Sequence, residues 1–99
     1  MALLLSTYIY RNMVSIIEQF LQELKITGTT EKTITDYSKF LKNINRRKSL
    51  EKWDKTDIHR YIMEKHNECL IGTVDTYKVK IKRFFTWAGK SEIVNHLNT

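Results

Sequence analysis

Gly72-Thr73-Val74-Asp75-Thr76-Tyr77-Lys78-Val79-Lys80-Ile81-Lys82-Arg83-Phe84-Phe85-Thr86-Trp87-Ala88-Gly89 is the stretch that decides the fold. Its apolar set Val74, Tyr77, Ile81, Phe84, Phe85 and Ala88 recurs at steps of three and four, the spacing of one α-helical face. Gly72-Thr73 stands where such a helix opens and Gly89 where it closes. No strand-like alternation competes with this reading, and the chain has no proline to interrupt it.

The same period appears three more times on the N-terminal side. From about Asn12 to Ile26, Met13, Ile16, Ile17, Phe20, Leu21 and Leu24 share a face, with Glu18, Gln19, Gln22 and Glu23 opposite, and Gly28 ends the helix. Thr29 and Thr30 can cap a second helix, running to about Asn45 with Ile34, Tyr37, Phe40, Leu41 and Ile44 inward. Arg46-Arg47-Lys48-Ser49 reads as a loop, after which Leu50 and Trp53 are expected to fold back onto the core. Asp54 or Thr56 caps a third helix whose stripe is Ile58, Tyr61, Ile62, Lys65 and Cys69. A tail from Glu92 to Leu97 can add a helical turn or two. The expected fold is all-α, a compact bundle of four main helices. Residues 1–12 form an N-terminal extension, 13–90 the helical domain, and 91–99 a tail or the start of a linker.

Composition bounds what such a bundle can do. At 99 residues there is room for one domain and one modest core, not for a second domain with its own cleft. Cys69, the single cysteine, has no internal disulfide partner, which points to an intracellular setting. The apolar start Met1-Ala2-Leu3-Leu4-Leu5 gives way to polar residues within a few positions. It is too short for a membrane span, which takes about 20 apolar residues, and lacks the basic start of a signal peptide.

Charge separates by segment. The chain carries a net +6; residues 29–48 hold +4 and residues 72–90 another +4, while the remaining segments are neutral or slightly acidic. Lys32, Lys39 and Lys42 lie away from the apolar stripe of the second helix, and Lys80, Lys82 and Arg83 flank that of the fourth. Packed as neighbours, the two helices would present one basic surface. Thr30, Thr33, Thr73 and Thr76 place hydroxyls at helix N-termini, where free N–H groups favour phosphate. The pattern points to a polyanion, although a charged outer face also serves simply to solvate a helix.

The order of these patterns resembles the N-terminal core-binding (SAM-like) domain of the tyrosine recombinase, or phage integrase, family. Phe20-Leu21-Gln22-Glu23-Leu24 is followed by Thr30-Glu31-Lys32-Thr33-Ile34-Thr35-Asp36-Tyr37 with Leu41, then Lys55-Thr56-Asp57-Ile58, then Thr73-Val74 and Ile81-Lys82-Arg83-Phe84-Phe85-Thr86-Trp87. The resemblance spans roughly residues 13–90. It implies a domain that docks on double-stranded DNA through its second and fourth helices, while a C-terminal catalytic domain cuts. DNA-facing positions carried over from it are Thr30, Lys32, Thr33, Lys39, Thr73, Thr76, Lys80, Lys82 and Arg83; Lys42 and Lys78 complete the candidate set. Lys78 replaces the aliphatic residue many members have there, and the proline usual after the last helix is missing.

The family's His-x-x-Arg signature is absent, because Ile62, Cys69 and Thr99 follow three residues after His59, His66 and His96. The chain is therefore expected to bind DNA without cutting it, to need no cofactor or metal, and to act in the cytoplasm at the nucleoid. Its expected partners are double-stranded DNA and, as the resemblance implies, other recombinase protomers or a C-terminal catalytic domain. Whether the chain is a piece of a longer recombinase or stands alone stays open.

Other groupings lead elsewhere. Tyr37, Tyr77, Phe84 and Phe85 sit on core stripes and are expected to pack rather than stack on bases. His59, His66 and Cys69 lie on one short helix without a second cluster, a poor basis for a tetrahedral zinc site, and Cys69 reads as a buried small residue. Leu3, Leu4, Leu5, Tyr8, Ile9 and Tyr10 can extend the first helix or meet a partner. With Trp87, they support the alternative of a protein–protein adaptor whose basic faces are only solubilising.

Overall fold

The computed structural model describes residues 15–97, which form four α-helices and two short 3-10 turns with no strand among the described residues. The helices are α1 (Ile16–Ile26), α2 (Glu31–Arg47), α3 (Lys55–Glu68) and α4 (Ile71–Trp87). None of the helices among the described residues is long and apolar enough to cross a membrane. The chain divides between Arg47 and Lys48 into two units.

In the first unit, Ser15 caps α1 by accepting the Glu18 N–H at 3.2 Å. Ile17, Phe20 and Leu24 are buried at the three- and four-residue spacing the sequence displays. The helix ends in a Schellman turn: Gly28 adopts φ +85°, its N–H reaches the Lys25 carbonyl, and the Thr29 N–H reaches that of Leu24. A side chain at Gly28 would be strained by that φ, which explains the glycine. On α2, Tyr37, Phe40, Leu41 and Ile44 are buried, and Tyr37 meets Phe20 edge to face with ring centres 5.5 Å apart.

The second helix outruns its expected end. Arg46 and Arg47, read as loop, form its last turn, so the connection shrinks to Lys48-Ser49. Arginine is a good helix former, and cations complement the carbonyl end of a helix.

The second unit begins with a 3-10 turn, Leu50–Lys52, and both Leu50 and Trp53 are buried as expected. The Trp53 indole N–H donates to the Lys48 carbonyl at 2.7 Å, and its ring lies against Tyr61 and Phe85. Lys90 holds the same turn from the far end of α4, donating to the carbonyls of Glu51 at 2.6 Å and Trp53 at 3.0 Å. Asp54 caps α3 in a reciprocal box with Asp57. Ile58, Tyr61 and Ile62 are buried beneath it. Cys69 is a half-buried C-cap, not the fully buried residue expected, because α3 ends at Glu68.

Helix α4 starts one residue before the expected Gly72-Thr73, with Leu70 as a cap lacking any side-chain hydrogen bond. Val74, Ile81, Phe84 and Phe85 are buried, while Tyr77 and Ala88 are only half-buried. Gly89, at φ +83°, closes the helix with a second Schellman turn, its N–H on Thr86 and that of Lys90 on Phe85. The expected extra turn forms after α4. Ser91–Ile93 forms a 3-10 turn, and Ile93, Val94 and Leu97 are buried. The apolar run Leu3 to Tyr10 lies outside the described residues.

Candidate nucleic-acid interface

The basic residues of α2 follow from its amphipathic period. At about 100° per residue, Lys32, Lys39 and Arg46, seven apart, fall within about 40° of one another, opposite Tyr37, Leu41 and Ile44. Lys42 stands beside them, and all four cations are exposed. Among the described residues none of the four makes an ion pair. Thr35 and Asn43, also exposed, lie between them on the same side. Arg46 is the member the sequence reading missed. Its signal was present in the spacing of seven from Lys39, but the surrounding Arg46-Arg47-Lys48-Ser49 run resembled a loop.

The N-terminus of α2 is less open to an anion than expected. The exposed Thr30 hydroxyl donates to the Thr33 hydroxyl at 3.0 Å and accepts the Thr33 N–H at 3.3 Å. The cap thus consumes one of the free N–H groups, and Glu31 puts a carboxylate in the first turn. Thr30 and the half-buried Thr33 therefore serve the helix first.

The candidates on α4 form two groups: Thr73, Thr76, Lys80 and Arg83, at steps of three and four, share one side of the helix, and Lys78 and Lys82, four apart, share another. Thr73 is exposed at the start of the helix, and the Thr76 hydroxyl donates back to the Gly72 carbonyl at 3.1 Å. Lys82 is half-buried and donates to the Leu97 carbonyl at 3.1 Å, which ties the C-terminal turn to the helix. Lys80 is half-buried, and Lys78, half-buried on the same side as Lys82, lines a cleft with His59 and His96. Arg83 is exposed on the outward face, where it shares a shallow groove with Val79, Lys82, Thr86 and Trp87. Trp87 is 36 % exposed and Val79 48 %.

Two cations of the second unit, Lys48 and Lys65, are paired. Lys48 pairs with Asp57 at 2.9 Å, and this ammonium, followed by the Asp54 N–H, holds the Asp57 carboxyl below the ordinary carboxylate value. Lys65 pairs with Glu68 at 3.1 Å and lies over the Tyr61 ring. Among the described residues no three His, Cys, Asp or Glu side chains converge on a common point. His59 instead meets His96 edge to face, ring centres 4.5 Å apart. Burial, then the neighbouring His59 and Lys55, push the His96 imidazole below the ordinary histidine value.

Comparison of the chain with protein-family models, with curated proteins and with solved structures finds no match.

Proposed function

We propose that the chain binds double-stranded DNA without cutting it, in the manner of the recombinase core-binding domain that its sequence resembles. The observation that carries this reading is the exposed row of Lys32, Lys39, Lys42 and Arg46 on α2, four cations with no ion pair among the described residues. From Lys32 to Arg46 the row runs about 21 Å along the helix, roughly six base-pair steps of rise. An α-helix fits the major groove, about 12 Å wide. In this reading the four cations neutralise phosphates and set the register of the helix. Asn43 and Thr35 between them are side chains able to reach base edges.

Titrating the chain with a fluorescent duplex over a range of salt tests the proposal. Neutralising four to five phosphates gives a log–log slope of about −3.6 to −4.5. A flat salt response, or no binding at low salt, overturns it.

A second reading is favoured by the exposed Val79 and Trp87 beside Arg83 on α4, a mixed apolar and basic strip suited to a protein partner. It predicts self-association or partner capture that is indifferent to DNA and lost in Trp87→Ser. Sedimentation with and without duplex separates the two.

A further inference from the structure

A cleft of about 260 Å³ in the second unit is lined by His59, Ile62 and Met63 of α3, Lys78 of α4, and His96 and Leu97 of the C-terminal turn. Its polar groups are of one kind. The two imidazoles touch each other, and among the described residues the half-buried Lys78 ammonium has no ion-pair partner and no carboxylate lines the space. Further cations stand around it: the Lys55 charge acts on His96, and Lys82 donates to the carbonyl of Leu97. The floor is apolar, made by Ile62 and Leu97, both buried, with the exposed Met63 thioether chain at the edge.

With no anion among the described lining residues, protonating this group of bases is electrostatically unfavourable, and packing of the C-terminal turn does not require their convergence. The buried Ile93, Val94 and Leu97 and the Lys82 hydrogen bond already anchor that turn. An anion in the cleft would turn this repulsion into attraction, and the apolar floor would select one that carries a hydrocarbon tail.

We propose that the cleft binds a short-chain aliphatic carboxylate, its headgroup on Lys78, His59 and His96 and its tail on Ile62, Met63 and Leu97. The residues of the site all belong to the second unit and include none of the α2 cations, and the proposal does not rest on DNA binding. Carboxylate binding favours the imidazolium form of His96, so affinity rises as the pH falls through the ordinary histidine range and below it, and binding takes up a proton.

Hexanoate, inorganic phosphate and hexylamine, added separately to the full chain, test the proposal by NMR of the histidine ring resonances. For eight heavy atoms at about 0.4 kcal/mol each, hexanoate should saturate with a Kd of about 5 mM. Binding should be tighter near pH 5.5 than near pH 7.5, roughly the window in which an imidazole held below the ordinary histidine value gains its charge. Phosphate, lacking the tail, should bind more weakly, and hexylamine should not bind. Lys78→Met keeps the aliphatic stem and should weaken hexanoate about three- to fivefold with the thermal midpoint unchanged. Replacing the α2 cations should leave hexanoate binding intact. The proposal is overturned if the shifts fail to saturate by about 50 mM, roughly ten times the expected Kd. It is equally overturned if phosphate or hexylamine matches hexanoate, or if Lys78→Met binds as the parent does.

Discussion

Replacing Lys32, Lys39 and Arg46 together by Gln removes three charges from one face of α2 and lowers the net charge from +6 to +3. All three side chains are exposed and none makes an ion pair among the described residues, so the fold should not register their loss. Gln has nearly the helix propensity of Lys and Arg, and exposed substitutions of this kind stay within about 0.5 kcal/mol. DNA affinity should register it strongly. Each phosphate contact contributes about 0.9 to the salt slope, so the slope should become shallower by about 2.7. Relative to the 1 M limit, the same three contacts are worth about 2.7 decades of binding at 0.1 M salt, a loss of roughly 500-fold. The control is a second triple variant, Lys25→Gln, Lys52→Gln and Arg60→Gln, which brings an identical net charge from exposed positions elsewhere. Anisotropy titration of one duplex at five or so salt concentrations reads both slopes. Equal losses in the two variants would mean that binding follows net charge and not the α2 row. An unchanged slope in the first variant would remove the row from the interface altogether.

Three further outcomes follow from single contacts. Lys90→Met should cost about 2 kcal/mol in a urea melt, because the ammonium bonds the carbonyls of both Glu51 and Trp53; a loss below about 0.5 kcal/mol would show those bonds to be inconsequential. Asp54→Ala should cost about 1 kcal/mol and Asp54→Ser much less, since serine can accept the same Asp57 N–H at the start of α3; equal losses would argue against capping as the cause. Stability should also fall with acid in two stages. The folded chain holds protons on His96 and Asp57 less readily than the unfolded chain, so stability is lost first as the pH drops below the ordinary histidine value. It is lost again as the pH falls through the lowered Asp57 value. Thermal melts of the parent and of His96→Gln check the first stage, which should flatten in the variant.

The helical parts of this protein were legible because burial on one face imposes a period that no strand shares. Phe20, Leu24, Tyr37, Leu41, Ile44, Ile58, Ile81, Phe84 and Phe85 are all buried where the spacing put them. The glycines at 28 and 89 were equally readable, since a left-handed residue after the last turn is the usual helix stop. The ends were less so. Arg46 and Arg47 resemble a loop by composition, yet Ile44 still faces inward and the helix continues past it. Residues 91–97 carry too few apolar side chains to show a period, and Ile93, Val94 and Leu97 reveal themselves only by being covered.

The candidate site divides along the same line. The basic row of α2 needed only the period of one helix, so Lys32, Lys39 and Lys42 could be placed from spacing alone. The α4 lysines depended on a contact with residues 15 or more positions away along the chain. Lys82 points to the Leu97 carbonyl, and Lys78 lines a cleft whose far wall is His96. Sequence by itself determined four amphipathic helices, the glycine stops of the first and the last, and the sign of their outer faces, because those properties are settled within a few turns of chain. Tertiary structure alone decided which lysines of α4 are drawn into a hydrogen bond or a cleft, because that depends on where the C-terminal turn folds back.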